Sequence, residues 1–275
     1  MSDRLWRLAA VFCCGFCMAQ TLYPEAAAGQ QPPDPAAATA LVANPPGLTR
    51  LSPKFNVWLD KQNKRVIMLG EVCLREGQME MFACIKNTKE HESIVSVPVE
   101  AYIVHAGLVA VGAEAGHPAR FRPTYQSATG TQVDITLYWS DDHGKRHSAN
   151  AEDWLKNLRT GKALDQPWVF GGSAFWTDNG GQRHYQAEDG DFICVSNFPS
   201  AMLDLPIESS QSNSALLFEA MTDRIPPKGT KLSLVLTPRL KGLADDRGGD
   251  PKADLEAPKS EKAASGGERD APASR

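Results

Sequence analysis

Hydrophobic and polar residues alternate most strictly over residues 132–139. This period of two is typical of a β-strand with one buried face. Residues 65–74 form a nearly continuous apolar run that is rich in strand-forming residues, which predicts a central strand. Shorter apolar patterns over residues 55–59 and 231–237 predict the first and the last strand of the domain.

One longer apolar segment predicts a helix. It follows a polar loop, contains Pro98 near its start and reaches Gly112 at its end. Proline in the first turn and glycine after the last turn are helix start and stop signals, so we predict one principal helix over about residues 98–112. Because apolar residues occupy all of its faces, we expect this helix to be buried on most sides.

Together these elements predict an α+β fold, consisting mainly of an antiparallel β-sheet with one principal buried helix. Hairpin turns are predicted at residues 141–144 and 178–181, and another hairpin is predicted between residues 66–74 and 78–86. Regular alternation of strands and helices is missing, and so is a glycine-rich loop between a strand and a helix. The pattern therefore argues against a nucleotide-binding α/β fold.

The beginning of the chain has the pattern of a secretory signal peptide. Arg4 and Arg7 precede a short apolar run and then small residues, so the segment 1–28 is predicted to be a signal peptide in which cleavage follows either Ala19 or Ala28. The apolar run is too short to span a membrane, so we expect no transmembrane segment in the mature chain. The predicted location is outside the cytoplasm, in the periplasm, in the cell envelope or as a secreted protein.

The rest of the chain divides into three parts by composition. Residues 29–53 are a Pro/Ala-rich linker, and residues 54–240 are predicted to form a single globular domain. Residues 241–275 mix acidic and basic residues without an aromatic residue, which predicts a disordered tail. The whole chain of 275 residues carries a net charge of −4. Without a basic patch, nucleic acid is not an expected partner.

Two polar loops hold the candidate binding residues. Residues 86–93 are dense in titratable side chains, and residues 197–210 combine hydrogen-bonding groups with prolines. Rigid polar loops often form binding surfaces. The candidate ligand-binding residues are Lys89, His91, Glu92, Asn197, Asp204 and Glu208. The alternative is that the charged residues of the first loop pair with one another and that the second loop is a structural lid.

A divalent metal is a second hypothesis for the same region. His91, Glu92 and His105 combine imidazole and carboxylate groups, which suit zinc or iron. Their spacing matches no metal-binding motif, and the neighbouring lysines would repel a cation. The alternative for His105 is a helix histidine that is hydrogen-bonded inside the core.

Three cysteines remain after removal of the signal peptide, namely Cys73, Cys84 and Cys194. In the predicted hairpin Cys84 lies opposite Leu69, too far along the strand for a bond to Cys73, whereas a bridge that involves Cys194 stays open. Three scattered cysteines without a Cys-x-x-Cys pair do not supply a four-cysteine iron–sulfur cluster, so we do not expect one.

Four short segments of the domain carry a family resemblance. They are residues 89–94 (Lys-Glu-His-Glu-Ser-Ile), 105–106 (His-Ala), 110–113 (Ala-Val-Gly-Ala) and 223–230 (Asp-Arg-Ile-Pro-Pro-Lys-Gly-Thr). On these segments the chain resembles the YdjY-like family of exported bacterial proteins of unknown function. The resemblance covers about residues 55–240 and implies no reaction. Some members bear a ferredoxin-like label, which the cysteine pattern of this chain does not support.

The leading functional hypothesis is an exported, non-enzymatic domain that binds a ligand or a partner, either a small molecule or an envelope protein. It depends on the polar density of the two loops and on the missing nucleophile–base pair. One alternative is a metal-dependent hydrolase or redox enzyme that uses the Lys-Glu-His-Glu loop. The other is a structural component of the cell envelope.

Overall fold

A computed structural model describes residues 41–209 and 216–240 of the protein. The predicted signal peptide at 1–28, the start of the predicted linker and the predicted tail at 241–275 lie outside the described residues. All of the described residues fall within one compact unit of the chain. Among them, no helix has both the length and the apolar character that crossing a membrane requires.

Within these ranges the chain forms eighteen β-strands and one α-helix. The first nine strands are β1 (Thr49–Arg50), β2 (Val57–Asp60), β3 (Arg65–Val72), β4 (Gln78–Met79), β5 (Met81–Ile85), β6 (Ser93–Val97), β7 (Ala115–His117), β8 (Thr129–Gly130) and β9 (Gln132–Ser140). The other nine are β10 (Arg146–Asn150), β11 (Leu155–Asn157), β12 (Trp168–Phe170), β13 (Phe175–Thr177), β14 (Arg183–Tyr185), β15 (Ile193–Cys194), β16 (Leu203–Asp204), β17 (Phe218–Ala220) and β18 (Lys231–Pro238). The helix α1 spans Ala101–Ala110 and lies between β6 and β7.

Eleven strands belong to one sheet, in the order β1-β2-β3-β18-β9-β12-β16-β15-β5-β6, with β10 attached to β9. Because β6 also pairs with β3, the eight strands from β3 to β6 close into a ring. Most neighbours are antiparallel, but β5 is parallel to β6 and β15 is parallel to β16. The predicted fold class is therefore confirmed as mainly β with a single helix, and corrected in one respect: the sheet is mixed.

The core is formed where β3, β18 and β9 lie side by side. Leu234 of β18 pairs with Met68 on one side and with Leu137 on the other, and all three side chains have no exposed surface. Alternation along β9 buries Val133, Ile135 and Leu137 in the same way, which confirms the strand predicted there. The apolar faces of neighbouring strands thus meet inside the ring, where their removal from water stabilises the fold.

The predicted hairpin between residues 66–74 and 78–86 is wrong. β6 lies between the two segments, because Val95 pairs with Val72 of β3 and with Ala83 of β5. All five residues of β6 are buried. A segment that is apolar on both faces gains most burial when it is flanked by strands on both sides, and this favours its insertion over a simple hairpin.

The helix is shorter than the predicted range of 98–112. The preceding residues 93–97 form β6, and Pro98 disfavours a helical conformation at the residue before it. Helix α1 therefore begins at Ala101, after Pro98. The expectation of burial on most sides is also wrong, because Tyr102 and Val109 are 48% and 50% exposed. Only one face of the helix packs on the sheet.

Candidate functional site

The first polar loop forms the connection between two parallel neighbouring strands. Residues 86–92, which we call the crossover loop, join β5 to β6 and contain one turn of 3-10 helix at Glu90–Glu92. Parallel strands usually need a connection of about a dozen residues or more, so this loop is short for its task. Its ends are held by hydrogen bonds from Lys86 N to Val97 O and from Glu80 N to Glu92 O.

The charge of Lys89 is paired with carboxylates of the fold itself. Its ammonium group lies 2.8 Å from Asp191 Oδ1 and 3.7 Å from Glu92 Oε1, and it stands 4.7 Å from the ring centre of Phe198. Desolvation alone would lower the pKa of Lys89, but the hydrogen bond and charge of Asp191 raise it above its usual value. Ser200 Oγ also donates to Asp191. The two predicted loops therefore meet where Lys89 lies over Phe198, whereas the ion pair of Lys89 is with Asp191, which precedes the second loop.

The two predicted histidines occupy different surroundings. The side chain of His91 is 77% exposed and lies 3.7 Å from Glu92. His105 Nδ1 lies 2.9 Å from the hydroxyl of Tyr185, and its ring packs edge-on against Phe170. Burial lowers the pKa of His105. This is the core hydrogen bond that the sequence offered as the alternative for His105.

The proposed metal ligands are not grouped. Within residues 41–209 and 216–240, no three or more His, Cys, Asp and Glu side chains converge in a way that could hold a metal ion. His91 and Glu92 are neighbours, but His105 is engaged with Tyr185 instead. The metal site of His91, Glu92 and His105 thus stays a prediction that the geometry does not favour.

Asn197 and Asp204 are buried in the core and bonded to each other. Asn197 Nδ2 donates to Asp204 Oδ1 at 2.9 Å, and the Tyr125 hydroxyl donates to Asn197 Oδ1 at 3.1 Å. Both side chains have no exposed surface. Burial raises the pKa of Asp204 to about 7, against the hydrogen bonds that it accepts. Of the candidates in the second loop, only Glu208 is exposed.

A different surface, at the hairpin of β13 and β14, has the character of a binding site. The turn predicted at residues 178–181 connects these strands, which confirms that hairpin. Phe175 and Trp176 are 50% and 47% exposed. Because Phe175 and Trp176 are consecutive in a strand, they point to opposite faces of the hairpin. Aromatic side chains are therefore exposed on both of its faces.

Polar groups hold the exposed aromatic rings in place. The Arg183 guanidinium lies 4.6 Å from the ring centre of Phe175, and His184 stacks on Trp176 at 4.6 Å. His184 Nε2 in turn lies 2.8 Å from Asp178 Oδ2. These contacts restrict the rings before any ligand arrives, and that reduces the entropy lost on binding.

A cleft of about 480 Å³ lies between this hairpin and the start of α1. Its walls include the rings of Tyr102 and Phe175 and the carboxylates of Glu100 and Glu188. Glu188 accepts hydrogen bonds of 3.0 Å from the backbone N–H groups of Ala101 and Tyr102, so it caps the helix. Desolvation raises the pKa of Glu188 although these bonds act in the opposite direction. We call this the hairpin cleft.

One edge of the hairpin is open. Ala174 O accepts from Gln186 N, and Asp178 N donates to Gln182 O, so the even-numbered residues of this segment face β14. Phe175 and Thr177 consequently direct their backbone N–H and C=O groups away from β14. Among the described strands, only β14 pairs with β13. Apart from the predicted turn and the aromatic content of residues 168–177, the sequence carries no signal for this open edge.

A second cleft, of about 570 Å³, lies beside the crossover loop. Glu71, Cys73, Glu90 and His91 are among the residues that line it. Glu71 pairs with Lys86 and Lys231. Desolvation would raise the pKa of Glu71, but the hydrogen bonds from the two lysines lower it below its usual value. The fold thus supplies the Glu71 carboxylate with two cationic partners.

Comparison with known proteins finds one family. The YdjY domain matches residues 57–237, which is most of the described part of the chain. Neither a curated protein nor a solved structure matches the chain. The match confirms the resemblance that the Lys-Glu-His-Glu-Ser segment indicated.

Proposed function

Because the chain belongs to the YdjY domain family, which brings no reaction with it, we propose that this protein is an exported, non-enzymatic domain that binds a partner. The partner is an extended peptide segment of another protein, and it binds to the open edge of β13. The observation that carries the proposal is the exposed edge strand with aromatic side chains on both faces.

The open edge favours an extended peptide over other ligands. An unpaired strand edge presents a row of N–H and C=O groups that another strand can pair with, and natural proteins usually cover or blunt such edges. Here the groups of Phe175 and Thr177 point outward on an edge that no other described strand covers. A two-stranded hairpin is also only marginally stable by itself, so a third strand would stabilise it.

The side chains around the open edge of β13 indicate which residue types the peptide contains. Side chains of the peptide on one face would contact Phe175 and enter the hairpin cleft, and those on the other face would contact Trp176. Alternate side chains of a strand point to opposite faces, so an extended peptide with apolar residues on both faces fits this surface. Exposed aromatic residues beside arginine are also enriched at protein interfaces.

The test uses the full chain and peptides selected from a random peptide library on the immobilised protein. The informative variant is Thr177→Pro, because proline removes an outward N–H that the hairpin itself does not use. We expect Thr177→Pro to weaken binding of the selected peptides at least about tenfold. The matched control, Thr177→Val, keeps the N–H and should retain the affinity within about twofold.

Amide hydrogen exchange provides a second measurement on the same complexes. Addition of a strand should protect the amides of Phe175 and Thr177 and leave that of Trp176 unchanged, because Trp176 already faces β14. Peptides that bind Thr177→Pro as tightly as the parent protein, or that protect no outward amide, would show that the edge of β13 is not the binding surface. The predicted metal-dependent enzyme and the predicted structural envelope component have no comparable feature in their favour.

A further inference from the structure

The chain contains a second hairpin that repeats the pattern of the β13–β14 hairpin, at the connection between β9 and β10. Residues 138–147 (Tyr-Trp-Ser-Asp-Asp-His-Gly-Lys-Arg-His) align without a gap with residues 175–184 (Phe-Trp-Thr-Asp-Asn-Gly-Gly-Gln-Arg-His). The two segments share a tryptophan, an aspartate, a turn glycine, an arginine and a histidine, each at the same position. We call residues 138–147 the first copy and residues 175–184 the second copy.

The first copy is held together by its shared residues. The Asp141 carboxylate accepts a hydrogen bond of 2.9 Å from Lys145 N and lies 2.9 Å from His147 Nε2. Trp139 lies opposite His147 in the strand pair, and the two rings are stacked. The aspartate therefore closes the turn and also positions the histidine over the tryptophan.

The second copy has the same contacts. The Asp178 carboxylate accepts a hydrogen bond of 2.8 Å from Gln182 N and lies 2.8 Å from His184 Nε2. Trp176 lies opposite His184, and the two rings are again stacked. Because sequence, register and contacts agree, what lies beside one copy is informative about what fits beside the other.

The two copies differ in what lies beside the strand that carries the tryptophan. In the first copy that strand is β9, and β18 pairs with it antiparallel on the side away from β10. In the second copy it is β13, and among the described strands only β14 pairs with β13. The edge that is open in the second copy is therefore covered by β18 in the first.

The backbone groups that β18 uses in the first copy have equivalents in β13. Asp141 N donates to Lys145 O, so the alternation of an antiparallel pair turns the N–H and C=O of Tyr138 away from β10 and toward β18. Phe175 occupies the position of Tyr138 in the second copy, and its N–H and C=O likewise point away from β14. A strand can thus add to β13 in the way that β18 adds to β9.

The residue opposite the tryptophan indicates which side chain the added strand supplies. Leu232 of β18 lies opposite Trp139 and is 3% exposed. Residues directly opposite each other in an antiparallel pair share a face, with Cβ atoms about 4.5–5.5 Å apart. Trp176 is 47% exposed, and no described strand places a residue opposite it on its open side. An apolar side chain at that position would cover part of the Trp176 ring.

We propose that the partner strand adds to β13 antiparallel, in the register in which β18 adds to β9, with an apolar side chain opposite Trp176. This inference rests on the proposed function, because it specifies the direction and register of a peptide at the same edge. A shift of the register by one residue would move the apolar side chain to the face of Phe175. The direction and the register can therefore be tested separately from binding.

The probe is a synthetic peptide with the sequence of residues 228–235, in which Leu232 is the residue expected opposite Trp176. Its affinity for the full chain is measured by titration. We expect Thr177→Pro in the protein to weaken its binding at least about tenfold. In the peptide, Leu232→Asp should also weaken binding at least about tenfold, whereas the control Ser233→Thr should stay within about twofold.

A double-mutant cycle tests the register. Leu232→Ala in the peptide should weaken binding to the parent protein about fivefold, because it removes the side chain that covers Trp176. Against the Trp176→Ala protein the same peptide substitution should change the affinity by less than about twofold. An equal loss with both proteins would show that Leu232 does not lie opposite Trp176, and would overturn the proposed register.

A nitroxide label on the peptide measures its direction on the parent protein, without a variant that must fold. In the proposed register the N-terminus of the peptide lies beside the turn at 178–181, and its C-terminus lies near Ser173. An N-terminal label should therefore broaden the amide signals of Gly180 and Gly181 most strongly, and a C-terminal label that of Ser173. The reverse pattern would show parallel addition and overturn the inference.

The outcomes separate this inference from the proposed function. If the 228–235 peptide does not bind, but the peptides selected from the library still lose affinity with Thr177→Pro, only the inference fails. Parallel addition has the same consequence, because it leaves the edge of β13 as the binding surface. If no peptide depends on Thr177, the proposed function and the inference both fail.

Discussion

The buried carboxyl group of Asp204 should make the stability of this fold depend on pH. The side chain has no exposed surface and accepts hydrogen bonds from Asn197 Nδ2, Leu205 N and Ala119 N. Burial raises its pKa from 3.8 to about 7. The folded protein therefore holds a proton on Asp204 at pH values where the unfolded chain has already lost it.

The size of the effect follows from the two pKa values. A tenfold difference in proton affinity corresponds to ~1.4 kcal/mol, so the step from 3.8 to about 7 corresponds to about 4 kcal/mol. Because the folded pKa is the higher one, this stability is fully present below about pH 4 and is lost as the pH rises to about 7. Above pH 7 the contribution of Asp204 no longer changes.

The variant Asp204→Asn isolates this contribution from those of the other carboxyl groups. Its amide oxygen still accepts from Asn197 and Leu205, but its amide nitrogen faces Ala119 N–H, which lies 3.2 Å from Asp204 Oδ2. Two hydrogen-bond donors that face each other lower the free energy of unfolding of the variant by ~1–3 kcal/mol at every pH. We expect the variant to be less stable than the parent protein at pH 4.5 and the difference to reverse by pH 7.5.

Urea unfolding of both proteins at intervals from pH 4.5 to 7.5 measures the difference in the free energy of unfolding. This difference should change by about 3 kcal/mol in favour of Asp204→Asn over that range, because about 1 kcal/mol of the total is already lost by pH 4.5. The control Asp165→Asn, at an exposed carboxyl group, should shift the curve by less than about 0.5 kcal/mol. Parallel curves for the parent protein and Asp204→Asn would refute the argument, since Asp204 would then titrate alike in both states.

Two further predictions concern the crossover loop and the helix cap. Lys89→Met should lower the free energy of unfolding by about 2–3 kcal/mol, because it leaves Asp191 buried without its partner, whereas His91→Ala should change it by less than about 0.5 kcal/mol. Urea midpoints measure both, and an unchanged midpoint for Lys89→Met would show that the ion pair does not support the fold. Glu188→Ala should destabilise the protein by about 1 kcal/mol and speed amide exchange at Ala101 and Tyr102. Unaltered exchange at these two amides would contradict the capping role.

The sequence predicted the individual strands better than it predicted which strands pair with each other in the sheet. The alternation along residues 132–139 and the apolar run at 65–74 mark β9 and β3, because the period of two is local to each strand. Residues 93–97 were not predicted as a strand, yet they form β6. A short apolar run suits either a buried strand or a buried helix, and the two flanking strands that decided between them come from other parts of the chain.

The two polar loops also differ in what the sequence and the tertiary structure reveal about them. Their density of charged groups marked residues 86–93 and 197–210 as unusual, and the family match covers both segments. The sequence did not show that Lys89 would form an ion pair with Asp191, or that Asn197 and Asp204 would be buried. A charge is available to a ligand only if the fold leaves it unpaired, and the pairing partner of Lys89 lies 102 residues away.

The sequence by itself determined the β-rich character of the domain and its family. Each of these follows from composition or from patterns shared by neighbouring residues. Only the tertiary structure decided which groups meet: Lys89 with Asp191, Glu188 with the start of α1, and Phe175 with an open strand edge. The reason is that closing the ring of strands brings together residues far apart in the chain, and no local pattern records that closure.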